Sequence, residues 1–347
     1  MSSHNHRRDL LVGVDVGGTK VAVLVVDSSL KALNRLVVPT VLTNPQATLA
    51  GIADAIEQAV GQAEAGLDRV AAVGVGVPGR VNTQTGLVRR AVNLGWDELP
   101  AGQLLSARLG VPCLLENDVT LAAAGAQHYM GGAASRNIAY VSVGTGIAAG
   151  LVLDGRIYRG AHGMAGEIGH MIIEPGGPFC RCGARGCLEA VAAGPAIARL
   201  GEEAANSSSH TLLRRYSPIT AEIVYLAGKE GDPAALGVIY EVSAYLALAL
   251  QQLIVAYDMG CIVIGGGVSR GGDIFLQPVL RELAHLREHS VLRDEMLQPD
   301  MIRLLPPDYD AGAWGAVLLG RGSLSDDLAG RKDGQKGEDS LKPAPIL

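Results

Sequence analysis

Aromatic side chains are the scarcest building material here: 4% of 347 residues, against 48% hydrophobic residues overall. A core must therefore be assembled from Val, Leu, Ile and Ala, and the length allows one large domain or two ordinary ones. Positive charge is also thin, with 29 Lys and Arg against 35 Asp and Glu. The basic residues are scattered, and Arg7-Arg8 is too short for a basic arm. This argues against nucleic acid as a partner, because phosphate backbones select clustered Lys and Arg. No secretory leader is visible: residues 1–9 are polar, and the apolar run after them is broken by Asp15 and glycines. The most hydrophobic stretch, residues 242–263, carries Gln251, Gln252 and Asp258. It reads as a buried helix followed by a strand and not as a membrane span. Cysteines number five, three of them within eight positions. That pattern suggests a reduced, metal-binding cluster in a cytoplasmic protein, not a disulfide framework.

What is present is a repeated unit. Residues 10–27 form a β-rich run interrupted by Gly17-Gly18, and residues 138–154 return the same shape around Gly144-Thr145-Gly146. Laid over each other without gaps, Val14, Val16, Gly17, Leu24, Val25 and Asp27 match Val141, Val143, Gly144, Leu151, Val152 and Asp154. Two copies of one hairpin imply two related α/β lobes. Between and after them strands and helices alternate. Helices are expected at 44–66, 100–109, 119–130, 273–289 and 310–320, and strands at 70–77, 111–115, 261–264 and 301–304. The reading divides the chain into a smaller lobe (9–121 with 310–322) and a larger one (122–309). A disordered tail is expected over 323–347, where Ser, Asp, Gly, Lys and Pro dominate.

Phosphate binding needs backbone N–H groups aimed at one point, and glycine lets the backbone come close. Gly17-Gly18-Thr19-Lys20 and Gly144-Thr145-Gly146 each offer this with a hydroxyl, and Gly265-Gly266-Gly267 follows a strand and precedes a helix. Asp15, just before the first turn, is placed to hold Mg²⁺ through water. A single glycine turn is explained by hairpin sterics alone; three with an Asp are better explained by a nucleotide. Gly74, Gly76 and Gly79 satisfy the dinucleotide fingerprint, but Pro78 and the turn residues after it supply no helix N-terminus for a pyrophosphate. A Walker-type loop is absent.

Glu116-Asn117-Asp118 ends a strand and opens a helix. A carboxylate there can take the proton of an attacking hydroxyl, and it can equally cap the helix, since Asn and Asp are favoured N-caps. His170, Cys180, Cys182 and Cys187 supply three thiolates and an imidazole, the ligand set of a closed, structural zinc site. Such a site would hold the loop carrying Glu167, His170 and Glu189, and the two glutamate carboxylates can accept hydrogen bonds from sugar hydroxyls. Glu189 alone is also explained as a first-turn helix acid.

Asp15-x-Gly-Gly-Thr-Lys20, Gly76-Val-Pro-Gly79, Glu116-Asn-Asp118, Gly144-Thr-Gly146, Glu167-x-x-His170 and Cys180-x-Cys-Gly-x-x-Gly-Cys187-x-Glu189 stand in this order. Together they resemble the ROK sugar kinases, with bacterial glucokinases the nearest kind, over residues 14–320. The resemblance implies an α/β, actin-like (ribonuclease H-like) duplicated fold, with ATP and a hexose in the cleft between its lobes. It implies Asp118 as general base, and Asn93, Asn117, Asp118, Glu167, His170 and Glu189 around the sugar. Phosphates would meet Gly17 to Lys20 and Gly144 to Gly146, the adenosine would lie near Gly265 to Gly267, and Mg²⁺, structural Zn²⁺ and a homodimer are expected. Many ROK proteins are repressors with an N-terminal helix-turn-helix. Here the first strand starts by Leu10, which leaves no room for one. Other hexoses, a polyphosphate donor, a non-catalytic sugar-binding regulator and a nicotinamide oxidoreductase are the alternatives.

Overall fold

The computed structural model describes residues 8–288 and 290–330. In chain order β1 (Leu10–Val16), β2 (Lys20–Asp27) and β3 (Ala32–Pro39) are followed by α1 (Pro45–Gln62) and β4 (Val70–Val77). The small hairpin β5 (Arg80–Asn82) and β6 (Leu87–Arg89) precedes α2 (Ala101–Leu109), β7 (Cys113–Asn117) and α3 (Asp118–Met130). The second half runs β8 (Ile138–Val143), β9 (Ile147–Leu153), β10 (Arg156–Tyr158), then the helices α4 (Leu188–Ala192), α5 (Gly194–Ser207), α6 (Ala221–Lys229) and α7 (Pro233–Tyr257). It closes with β11 (Cys261–Gly265), α8 (Asp273–Arg287), α9 (Val291–Met296), β12 (Ile302–Leu304) and α10 (Ala311–Gly330).

The two sheets have one topology. The first is ordered β3-β2-β1-β4-β7 and the second β10-β9-β8-β11-β12, each with an antiparallel meander on one side and two parallel strands on the other. This is the duplicated, actin-like α/β architecture expected. The gapless superposition of the hairpins needs one correction. Val14 pairs with Val23, whereas its counterpart Val141 pairs with Ala149, not with residue 150. The second hairpin has the shorter turn, so Leu24 and Leu151 occupy different positions in their sheets.

Period-two alternation decides what each strand presents. Leu10, Val12, Val14 and Val16 pack under α1 and α2, while Leu11 faces α10 with Ala313 and Val317. Asp15 shares the α10 face, and its carboxyl carbon lies where a side chain on Gly312 would stand. In the second lobe one sheet face packs under α4 to α8, and Ile138, Tyr140 and Val152 on the other meet Ala122, Ala123 and Ala126 of α3. Helices α3 and α10 thus lie between the sheets. They touch at backbone distance, since a Cβ on Gly315 would strike the Leu121 carbonyl, and α10 sits as close to β4, where a Cβ on Gly74 would strike the Ala316 carbonyl. This is why α10 is built of small residues. Helix α7 is long and apolar enough to cross a bilayer, but Val242, Leu246, Leu250 and Leu253 along it are core. Helix α10 extends to Gly330, so the tail expected from 323 begins inside a helix, and residues 331–347 lie outside the described residues.

Candidate active site

The cleft is assembled from strand ends. Strand β7 ends at Asn117, whose side chain accepts the Thr120 N–H at 3.0 Å and caps α3, while its Nδ2 donates to the Gly79 carbonyl at 3.2 Å. The cap is therefore Asn117, and Asp118 is the first residue inside the helix. Its carboxylate accepts the N–H of the next residue, Val119, at 2.9 Å. Burial, reinforced by the nearby charge of Glu167, raises the pKa of Asp118 above the ordinary carboxylate value. A carboxylate of raised pKa is a better proton acceptor, which suits a base. Capping no longer explains Asp118.

Asp15 stands close by. Burial first, then the charges of Asp310 and Asp118, push its carboxyl up to about 8, with only Lys20 opposing. Of these acids, Asp310 is itself paired with Arg35 at 3.2 Å. The first glycine turn, Gly17-Gly18-Thr19, is closed by the Gly17 N–H donating to the Lys20 carbonyl at 2.9 Å, and Thr40 donates its hydroxyl to the Gly17 carbonyl at 2.7 Å. Asn93 is exposed and lies over this turn, 3.5 Å from where a side chain on Gly18 would begin.

The second turn borders a cavity of about 680 Å³ in the larger lobe. Gly144, Thr145 and Gly267 line it, with the first residues of α5, Gly194 and Pro195, so an N-terminal helix dipole faces its interior. Gly265 and Gly266 do not line it. They support it: Gly266 has φ +92° and packs on the Val143 backbone, and Gly265 backs onto the Tyr140 hydroxyl. Opposite lie Glu222, Tyr225 and Lys229 of α6 and Arg270, which no motif marks. They come together through packing of α6 against α5 and α7, so nothing in their spacing points to a site.

A second cavity, of about 590 Å³, opens between the lobes. Its wall includes Asn117, Val119, Thr120, Ala148, Glu167 and His170. Of the residues expected around a sugar, Asn117, Glu167 and His170 line this cavity, and Asn93, Asp118 and Glu189 do not. Glu189 stands behind the second glycine turn, accepting the Ile147 N–H at 3.3 Å, and a Cβ on Gly146 would collide with its carboxylate. Glu189 does lie in the first turn of α4, but that helix is five residues long and the carboxylate reaches out of it.

The ligand atoms of His170, Cys180, Cys182 and Cys187 lie within 4.8 Å of one another. Cys182 Sγ and Cys187 Sγ are 3.6 Å apart, and Cys180 Sγ is 3.7 Å from His170 Nδ1. A disulfide needs about 2.05 Å, whereas the edge of a tetrahedron with zinc–sulfur bonds of 2.3 Å is about 3.8 Å. The geometry fits a closed zinc site. With Nδ1 turned to the thiols, His170 Nε2 lies 3.9 Å from the Glu167 carboxylate, beyond hydrogen-bond length. One imidazole thus reaches both the metal group and the interlobe cavity.

Residues 11–322 match the ROK family. The chain belongs to that family. This ROK protein is 34% identical over 314 residues to a glucokinase of Halalkalibacterium halodurans, a match covering 89% of this chain and 94% of the relative. Its fold is similar to that of a ROK hexokinase from Thermus thermophilus (TM-score 0.72, 32% identity, 91% of this chain and 99% of that one). It is also similar to a ROK family glucokinase from Streptomyces griseus solved in complex with glucose and AMPPNP (TM-score 0.73, 30% identity, 90% and 99%). The fingerprint Gly74-x-Gly76-x-x-Gly79 is cleared as well. It runs into strand β5, so no helix N-terminus follows it.

Proposed function

We propose that this ROK protein is a hexose kinase that moves the γ-phosphoryl group of ATP to the primary hydroxyl of glucose, with Asp118 as general base. The observation that carries the reading is the position of Asp118. It opens α3 with its capping role taken by Asn117, and its neighbours in sequence line the interlobe cavity. The glucokinase relative and the structure holding glucose and AMPPNP support the choice of substrates.

The nucleotide lies in the 680 Å³ cavity, with its phosphates between the two glycine turns. Mg²⁺, held near Asp15 through water, would neutralise phosphate charge. Asn93, Asn117, Glu167, His170 and Glu189 orient the sugar, and Asp118 holds the hydroxyl and takes its proton as the bond to phosphorus forms. Phosphoryl transfer demands mainly positioning and charge neutralisation, which this arrangement supplies. Zinc on His170, Cys180, Cys182 and Cys187 would stiffen the loop that carries Glu167. The functional division follows the cleft, with lobes 9–121 plus 310–322 and 122–309. A homodimer working in the cytoplasm is the setting the family resemblance supports.

An assay of sugar-phosphate formation from glucose, fructose, mannose, allose and N-acetylated amino sugars with ATP, GTP and polyphosphate tests the reading. It expects the highest kcat/KM with glucose and ATP. Turnover of none of these sugars would sink it and favour a sugar-binding regulator.

A further inference from the structure

Among the described residues Asp232 and Glu116 are the least exposed acidic residues, each at 4%. Asp232 caps α7. Glu116, the first residue of the acidic turn, has no part in the reaction described above. Its Oε1 accepts the Asn117 N–H at 2.9 Å, and its Oε2 accepts from Arg159 Nε at 2.6 Å. Glu116 lies in β7 of the first sheet, and Arg159 follows β10 of the second, so the pair ties the two lobes together.

Each end of this tie leads into the site. Glu116 directly precedes Asn117 and Asp118. Beyond Arg159, its own carbonyl accepts the Ala165 N–H at 3.1 Å, and the Gly166 carbonyl accepts from both Ala149 and Ile168 at 2.7 Å. The chain from Arg159 is thus braced up to Glu167 and His170. The pair also forms part of a cavity of about 480 Å³ that shares Arg80, Arg89 and Gly163 with the sugar cavity. Fold stability alone explains such a pair poorly, because an ion pair with one partner 40% exposed to solvent contributes little to stability.

We infer that Glu116 and Arg159 are positioning residues: their interlobe ion pair fixes the loop bearing Glu167 and His170 against the strand end bearing Asp118, and so aligns the sugar with its base. This rests on the kinase reading. Glu116→Gln keeps the side chain's shape and an acceptor for the Asn117 N–H but loses the charge. Arg159 is 40% exposed and can rehydrate when its partner is neutral. Misalignment of about 1 Å costs on the order of 100-fold in rate, so Glu116→Gln should lower kcat/KM for glucose about 10- to 100-fold and leave KM for ATP within about threefold.

The test is steady-state kinetics in both substrates, zinc content, and a thermal melt on Glu116→Gln, Arg159→Lys, Arg159→Gln and the double Glu116→Gln/Arg159→Gln. Arg159→Lys, which keeps the charge, should retain more activity than Arg159→Gln. The double variant should be no worse than the poorer single, as coupled residues behave. Single variants within about threefold of wild type, a double whose loss is the product of the singles, or parallel losses in glucose and ATP constants with the melting midpoint would each overturn the inference. If Glu116→Gln does not fold, Arg159→Lys against Arg159→Gln carries the test. A wild-type protein without kinase activity would remove the proposed function instead. Glucose affinity by calorimetry then reads the pair directly, with loss in Glu116→Gln expected and an unchanged value contradicting it.

Discussion

Replacing Asp118 by Asn separates the two roles a carboxylate at the start of α3 can have. The cap belongs to Asn117, which already satisfies the Thr120 N–H, so the substitution leaves the helix end intact. The new amide can accept the Val119 N–H as the carboxylate does at 2.9 Å. Two small effects on stability oppose each other. An acid in the first turn gains about 0.3–1 kcal/mol from the helix dipole, but burial penalises its charge, which is why its pKa is raised. The melting midpoint should therefore stay close to wild type. Turnover should not. General-base assistance is worth about 10²–10⁴-fold, or about 2.7–5.4 kcal/mol of barrier at 1.36 kcal/mol per decade. The wild-type rate should fall on the acid side as Asp118 is protonated, with a midpoint above the ordinary carboxylate value, and the Asn variant should lack that limb. Steady-state kinetics across pH, beside calorimetric glucose titration, measures both. A variant within about threefold of wild-type kcat, far short of general-base assistance, would refute the assignment.

Cys182→Ser removes one thiolate from a closed four-ligand group and should release zinc and weaken glucose affinity together, because metal binding and loop order are coupled; elemental analysis finding no zinc in active wild-type protein would contradict this. Asp15 holds its proton up to about pH 8 when folded but only to its ordinary 3.8 when unfolded, so the nucleotide-free protein loses stability as pH rises through that window. Asp15→Asn should accordingly match wild type in a melt at pH 3.5 and exceed it at pH 8, and a constant difference between the two would be the failing result. Gly315→Ala drives a Cβ into the Leu121 carbonyl and should cost about 1–3 kcal/mol, read as a lowered midpoint in denaturant; an unchanged midpoint would mean that α3 and α10 are not locked together.

Local chemistry made the skeleton legible. Glycine turns between β-rich runs announced both hairpins, and the strand over residues 70–77 is found with those bounds as β4. The third strands are less visible. Strand β3 is an edge strand with every other residue exposed, and β10 has three residues, too few to set a period. The cysteine group is readable because a closed metal site needs a fixed donor set, whatever the surrounding fold. The α6 wall of the nucleotide cavity could not be read, since Glu222, Tyr225 and Lys229 are ordinary helix-face residues until packing delivers them. Glu116 is legible only as a neighbour of Asn117, because its partner Arg159 is 43 residues away. Trp314, for which the sequence suggests no role, stacks parallel to Tyr309 at 6.2 Å and lies 5.2 Å from the His128 ring, where α10 meets α3. It is a packing residue of that contact.

The most direct measurement of the central claim is where the phosphoryl group lands. Glucose and ATP incubated with the purified protein, followed by proton–phosphorus correlation spectroscopy of the product, should show one phosphate ester, coupled to the two protons on carbon 6. An ester on carbon 1, or ADP formed with free phosphate and unchanged glucose, would contradict a site in which Asp118 activates the primary hydroxyl.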